Sequence, residues 1–146
     1  MKSLSHTFFL LIGFFAISSC SSVPKNNAES SNLHRKWMLT EYKNFSKEEL
    51  TNLNAYMDLT ENPEQQNQYS AKMGCNGMGF TAKFKNDGSA EFSQAISTMM
   101  FCDGRMDVET AFGKDLPTIT QYKIDGHYLI LSNENVTMKF VAEDWD

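Results

Sequence analysis

The sequence predicts a mainly β protein with one helix (α+β class), folded as a small antiparallel β-barrel or half-barrel of about eight strands closed by the helix. Three observations lead to this fold class. Short segments with alternating apolar and polar residues recur between residues 33 and 141, as in half-buried strands. Asp87-Gly88 and Asp125-Gly126 supply the positive φ of tight hairpin turns. One segment, residues 108–119, instead carries the apolar spacing of a helix.

The first predicted strand begins at Leu33, with Trp37 and Leu39 on the same face as Leu33 and Tyr42 on the opposite face. The sequence Ser46-Lys47-Glu48-Glu49 fits a capping box, in which a serine side chain and a glutamate three residues later bond to backbone amides at the start of a helix. We therefore expect a short helical turn directly after the first strand.

The remaining strands and the main helix follow from the same patterns. Further strands are predicted at residues 55–59, 69–73, 80–85, 89–93, 96–101, 121–124, 128–131 and 136–141. The apolar stripe of the helix consists of Val108, Phe112, Leu116 and Ile119. Asp103 or Asp107 would cap its start, and Pro117 would end it. A polar loop at residues 61–68 joins two of the strands.

The first twenty residues have the pattern of a bacterial lipoprotein signal. An apolar run at residues 8–17 is too short to span a bilayer but has the length of a signal-peptide core. The tetrapeptide Ile17-Ser18-Ser19-Cys20 resembles the lipobox, in which a peptidase cuts before a cysteine that carries lipid. The alternative is an ordinary secretory signal with a coincidental cysteine. We predict a signal peptide at 1–19, a lipidated Cys20 with a flexible tether over 20–32, and one domain over 33–146.

The residue after the cysteine bears on location. Ser21 stands where Gram-negative sorting signals that retain a lipoprotein at the inner membrane have aspartate, so the resemblance favours the outer membrane, at its periplasmic face. Two or three acyl chains hold a protein on a membrane stably, whereas one does so only marginally. The predicted membrane contact is therefore the lipid on Cys20.

The charge balance bears on partners. The full chain has 13 basic and 18 acidic residues, a net charge of −5. Cleavage before Cys20 removes one basic residue, Lys2, and no acidic one, so the mature charge becomes −6. An acidic surface without a basic cluster argues against nucleic acid and against adsorption to anionic lipid. It would suit an envelope protein or a basic protein as partner.

Two cysteines remain after Cys20, namely Cys75 and Cys102. An even number of cysteines in an oxidising compartment predicts a disulfide between them. The alternative is a soft-metal site, because five methionines flank the pair and thiolate with thioether ligands suits Cu(I). Methionine also fills irregular cores, and those five residues are Met73, Met78, Met99, Met100 and Met106.

Several motifs recur together in one known family. They are Trp37-Met38-Leu39, Gly74-Cys75-Asn76, Thr98-Met99-Met100-Phe101-Cys102, then Glu109, Phe112 and Leu116, and the ending Tyr122-Lys123-Ile124-Asp125-Gly126 with Leu129 and Leu131. In these the chain resembles the META domain family, of the type found in the heat-shock lipoprotein HslJ. The resemblance implies a small β-barrel-like fold, no catalytic activity, and links to heat shock, envelope stress and antibiotic tolerance. Phe101, where many relatives carry a small residue, and the long glutamine-rich loop at 64–68 depart from the family pattern.

Asn76 and Thr98 lie beside the cysteines and are the remaining candidate site residues. Their expected role is hydrogen bonding to the backbone next to a turn, with a functional role as the alternative. The sequence has no serine nucleophile motif, no glycine-rich phosphate loop and no histidine pair with metal-binding spacing. We expect no enzyme activity, no cofactor and no metal.

Two hypotheses for function follow. The first is a non-catalytic envelope lipoprotein that contributes to outer-membrane integrity or stress tolerance by binding an envelope component. The second is a lipid-anchored inhibitor or small-ligand-binding module that uses the barrel mouth or a loop such as 61–68. The interior discriminates between them, since a barrel filled by Trp37, Phe80, Phe84 and Phe92 has no space for a ligand.

Overall fold

A computed structural model describes residues 32–145. The predicted signal peptide at 1–19 and Cys20 lie outside the described residues. Within that range the chain has nine strands: β1 (Lys36–Tyr42), β2 (Tyr56–Asp58), β3 (Gln68–Lys72), β4 (Gly77–Phe84), β5 (Ala90–Phe92), β6 (Ile96–Ser97), β7 (Gln121–Asp125), β8 (Tyr128–Ser132) and β9 (Thr137–Ala142). The two α-helices are α1 (Lys47–Asn52) and α2 (Asp107–Asp115). No helix between residues 32 and 145 combines the length and apolarity needed to cross a membrane.

Eight of the strands form one antiparallel path in the order β5-β4-β3-β2-β1-β9-β8-β7, and the short β6 pairs with β4 beside β5. The two ends of this path meet. The Ala90 backbone N–H donates to the Thr120 carbonyl at 2.9 Å, and the Tyr122 N–H donates to the Gly88 carbonyl at 2.8 Å. The sheet is therefore a nearly closed barrel, and the predicted fold class is confirmed.

The barrel interior is filled by its own side chains. Trp37, Tyr42, Phe112 and Phe140 are each at most 2% exposed. Phe80 and Phe92 are also buried, and the half-buried Phe84 packs edge-on against Phe92 with ring centroids 5.6 Å apart. Burying one large apolar side chain stabilises a fold by roughly 1.5–3 kcal/mol, so this packed interior is the main source of stability.

The stripe predicted for the main helix is correct, because Val108, Phe112, Leu116 and Ile119 are all at most 1% exposed. The predicted cap is wrong. Met106, which has no hydrogen-bonding oxygen in its side chain, occupies the N-cap position, and no side chain caps α2 there. Asp107 is already the first residue of the helix, and Asp103 lies in the turn closed by the bond from the Arg105 N–H to the Cys102 carbonyl. The α-helix ends at Asp115, and a 3-10 turn over Leu116–Thr118 contains Pro117.

The prediction for the first strand is wrong in its starting residue and in the face that it assigns to Tyr42. Residues 32 and 33 lie in a helical turn, and β1 begins only at Lys36. A register shift between Leu39 and Glu41, where β1 pairs with β9, adds one residue to β1. Such a bulge reverses the alternation of side chains. Tyr42 therefore points into the core, together with Trp37 and Leu39.

Candidate functional site

The segment between β3 and β4 contains Gly74, whose conformation only glycine tolerates well. Its φ is +142°, and a Cβ at this position would lie 2.6 Å from the Arg105 carbonyl oxygen. L-residues with a side chain rarely adopt this φ, and the contact is shorter than real Cβ atoms show. The first residue of the Gly-Cys-Asn motif therefore allows the segment before α2 to approach the segment between β3 and β4.

The second residue of the motif forms a covalent link. A disulfide joins Cys75 to Cys102, with their Cα atoms 5.9 Å apart and a separation of 27 positions in sequence. A loop of this length stabilises the fold by about 3.5 kcal/mol in the chain-entropy description. Both sulfur atoms belong to this bond, so neither supplies a thiolate to a metal. Met73 and Met78, from the proposed thioether set, are buried in the core.

The third residue, Asn76, is a hydrogen-bonding centre that is 1% exposed. Its Oδ1 accepts from the Thr98 hydroxyl and from the Met100 N–H, each at 2.8 Å. Its Nδ2 donates to the Met100 carbonyl at 3.0 Å and to Glu109 Oε1 at 2.8 Å. The amide uses two donors and two acceptors, its full capacity. The structure thus brings together Cys75, Asn76, Thr98 and Cys102, the site residues that the sequence singles out within residues 32–145.

Glu109 belongs to the same centre, and sequence reasoning missed its role. Capping and the helix dipole are the ordinary explanation for acidic residues near the start of a helix such as α2. Glu109 is instead only 6% exposed, and its Oε2 also accepts from the Asn76 backbone N–H at 2.7 Å. Two signals were available: Glu109 is one of the residues that carry the family resemblance, and it lies next to Val108 of the buried stripe, at the boundary of the core.

This centre changes the path of the chain after β6. The predicted strand at 96–101 is wrong beyond Ser97, because β6 covers only Ile96–Ser97. The Met100 N–H and carbonyl both bond to the Asn76 side chain, so they are not available to a neighbouring strand. The Thr98 N–H still donates to the Gly77 carbonyl at 3.1 Å, and the chain leaves the sheet after that bond.

The segment held in this way exposes its large apolar side chains. We call residues 96–101 the apolar loop. Ile96 is 82% exposed, Met99 99%, Met100 56% and Phe101 84%. No residue from 92 to 102 carries a charge. Contiguous exposed apolar surface on a folded domain usually marks a contact with another molecule.

A shallow groove runs beside the apolar loop on the outer face of the barrel. It measures about 470 Å³ and its lining includes Tyr56, Lys72 and Ile96. Gly77 and Gly79 form its floor, and an added Cβ at either position would meet nothing within 4 Å. Glycine inside a strand weakens it and often marks a place where a ligand comes close.

A second buried polar cluster lies at the other end of α2. The Tyr42 hydroxyl donates to Asp115 Oδ2 at 2.8 Å, and Lys43 Nζ lies 2.6 Å from the same oxygen. Burial, followed by the bond to Asp115, raises the pKa of Tyr42, so the phenol stays protonated. Burial alone would raise the pKa of Asp115, but the hydrogen bonds from Lys43 and Tyr42 outweigh it and lower that pKa. The cluster ties β1 to α2.

Comparisons with known proteins agree with this fold. The family model of the META domain matches residues 31–145. The solution structure of a protein from Burkholderia xenovorans is 20% identical, with a TM-score of 0.62 over 90% of this chain and 99% of that one. The crystal structure of a DUF4847 family protein from Bacteroides vulgatus is 10% identical, with a TM-score of 0.54 over 80% and 98%. At these identities the two structures support the fold alone. No curated protein matches the chain.

Proposed function

The chain belongs to the META domain family, and from this membership we propose a non-catalytic lipoprotein of the bacterial envelope that binds an envelope component through its apolar loop. Through this contact it would contribute to outer-membrane integrity or stress tolerance. The observation that carries the proposal is the exposure of Ile96, Met99, Met100 and Phe101 on a segment that the fold holds in place.

The way in which the loop is held supports a binding role. Two long-range links fix the backbone between β6 and α2. Here Cys102 at one end is bonded to Cys75, and Met100 in the middle is bonded to Asn76. Fixing the backbone before contact lowers the entropy cost of binding, since the loop is already ordered.

The anchoring part of the proposal rests on the sequence. The lipobox at Ile17–Cys20 supports a lipid on Cys20, and twelve residues, Cys20 to Ser31, precede the described domain. A tether of twelve residues would keep the domain within about 40 Å of the membrane. Replacement of Cys20 by alanine should release the protein from the membrane fraction, and a Cys20→Ala variant that stays membrane-bound would contradict the anchor.

The polar groups of the domain support a non-catalytic role. No group of three His, Cys, Asp or Glu side chains that could hold a metal occurs between residues 32 and 145. Asn76 and Glu109 satisfy each other, and Asp115 is occupied by Tyr42 and Lys43. A catalytic group needs a polar atom that is free to meet a substrate, and these buried groups point at protein partners.

A second candidate function, that of a lipid-anchored inhibitor, would use the polar loop at residues 61–68 instead of the apolar loop. Residues 61–68 line a groove of about 330 Å³ through Glu61, Asn62, Pro63, Gln66 and Asn67. With a mature charge of −6, this polar surface fits a basic protein, as expected for an anchored inhibitor. The filled barrel interior gives this candidate no room for a small ligand inside the barrel.

Site-specific photo-crosslinking in intact cells tests the proposal. A photoreactive residue at Phe101 should form adducts with an envelope component, and one at Gln66 should not. Both positions are exposed loop sites, so accessibility is matched. Adducts from position 66 with none from 101 would replace the first function with the second.

A further inference from the structure

We propose that the envelope component is the lipid bilayer itself, with the apolar loop inserting its side chains into the membrane that holds Cys20. This inference rests on the proposed function, because it needs the lipid anchor. It adds a second membrane contact, made by the folded domain, to the one made by the acyl chains.

The first step is reach. The twelve residues from Cys20 to Ser31 span up to about 40 Å when extended. Residues on neighbouring strands pair along one row that crosses the barrel wall, in the order Lys36, Asp58, Ser70, Gly79 and Ile96. Ile96 therefore lies at the same level of the wall as the start of β1. That row crosses four strand spacings, or about 19 Å along the wall. The extended tether is therefore longer than the distance along the wall between the start of β1 and the apolar loop. The lipid on Cys20 and the apolar loop can reach the same membrane.

The second step is chemistry. The exposed side chains are aliphatic, thioether and aromatic, the types found on the buried face of membrane-surface segments. The domain is acidic overall, but the nearest charged residues in sequence on either side of the loop are Glu91 and Asp103. Lys72 lies beside the loop, since it pairs with Gly77, which in turn accepts from Thr98. The loop is thus an uncharged apolar surface that would enter a lipid interface by hydrophobic contact, with no need for attraction to anionic lipid.

The third step separates lipid from a protein partner. A peptide that added a strand to the sheet would need a long row of free backbone groups. β6 is two residues long, and Met100 is already bonded through both its N–H and its carbonyl. Ile96 lies on the outer face with Gly79, while Met99 and Phe101 follow after the chain has left the sheet. A fluid phase accepts exposed apolar side chains of any shape, whereas a protein partner needs a surface that matches each of them.

The experiment places one fluorescent reporter on each loop of the full lipidated protein. Phe101→Trp and, separately, Gln66→Trp are made with Trp145→Phe, which removes the exposed native tryptophan and leaves Trp37 buried. Each protein is reconstituted in vesicles of phosphatidylethanolamine and phosphatidylglycerol with brominated acyl chains. Insertion to the acyl boundary should lower the emission of the Phe101→Trp variant by about half and leave that of the Gln66→Trp variant nearly unchanged. Met99→Trp is a second reporter in case the change at position 101 disturbs the fold.

The outcomes separate the inference from the function on which it rests. If the Phe101→Trp and Met99→Trp variants bind vesicles but are no more quenched than Gln66→Trp, the insertion is overturned and the anchored lipoprotein stands. A protein adduct from position 101 in the crosslinking experiment would then identify the loop as a protein contact. Protein that carries no lipid and does not bind vesicles contradicts the proposed anchor and, with it, the insertion.

Discussion

Two exposed loops of the barrel differ in how they are held. The middle of the polar loop at 61–68 is stabilised by bonds between near neighbours, such as Glu64 N–H to Asn62 Oδ1 and Gln65 N–H to the Asn62 carbonyl, both at 3.0 Å. Distant residues contact the ends of this loop, where Glu61 meets His34 and the Asn67 carbonyl accepts from the Ala82 N–H. The apolar loop at 96–101 is held by Asn76, more than twenty positions away in sequence, and by the disulfide. Between those ends, the polar loop satisfies its backbone and side-chain polar groups locally and in water. An apolar loop has no such means, and its exposed conformation persists because distant residues fix it.

The largest effect should follow from breaking the covalent link. Cys75→Ala with Cys102→Ala should lower the free energy of unfolding by about 3.5 kcal/mol, the loop-closure value for this span. Urea titration measures the loss. Hydrogen exchange at the Met100 amide should accelerate, while the amides of residues 61–68 keep their rates. Equal acceleration in both loops would show that the disulfide stabilises the whole barrel and does not hold the apolar loop in particular.

Removing the amide should have the next largest effect. Asn76→Ala removes the two N–H donors that bond to the Glu109 carboxylate and to the Met100 carbonyl. The change should lower the free energy of unfolding by about 2–3 kcal/mol, because buried polar groups lose their partners. Asn62→Ala is the matched control in the polar loop. It removes one exposed bond to the Glu64 N–H and should cost less than about 0.5 kcal/mol. Similar losses of unfolding free energy in the two variants would contradict the conclusion that the two loops are held in different ways.

A smaller loss of stability is expected from a change at Asp115. Because Asp115 lies outside both loops, this variant is a control that is destabilised without a change in either loop. Asp115→Asn should cost about 1–2 kcal/mol at neutral pH by weakening its bonds to Lys43 and Tyr42. Because the pKa of Asp115 is lowered on folding, the carboxylate contributes stability above its ordinary pKa of 3.8 and loses it as the pH falls through the lower folded-state pKa. Acid unfolding of the variant should therefore be less steep. An unchanged acid profile would contradict the assigned pKa shift.

The smallest effect on stability should come from the exposed side chains themselves. Met99→Ser with Phe101→Ser should change the free energy of unfolding by less than about 0.5 kcal/mol, because exposed side chains contribute little to the fold. The same variant should lose the contact with the envelope component. A loss of stability above about 1 kcal/mol would show that these residues pack against the domain and are not a free surface.

Local patterns predicted the hairpins, the short capped helix and the stripe of α2, because turn residues, caps and periodicity act over a few positions. These patterns failed at β1, where a bulge turned the Tyr42 side chain to the opposite face of the strand. They also failed at residues 98–101, which were predicted to continue a strand that ends at Ser97. The hydrogen-bonding role of Glu109 was also missed by the local patterns. Its partner, Asn76, is 33 positions away, and no local pattern reports that contact.

By itself the sequence determined that this chain contains a mainly β domain, with Cys75 and Cys102 the natural pair, while the lipoprotein signal before that domain stays a prediction. It also determined that residues 92–102 are uncharged. Only the tertiary structure decided that Ile96, Met99 and Phe101 face solvent, because burial depends on which distant residues meet. An apolar residue in a strand pattern is ordinarily counted as core. Here Asn76 and Cys75 draw the backbone away from the sheet, and the side chains that the sequence marks for the interior are left exposed on the surface.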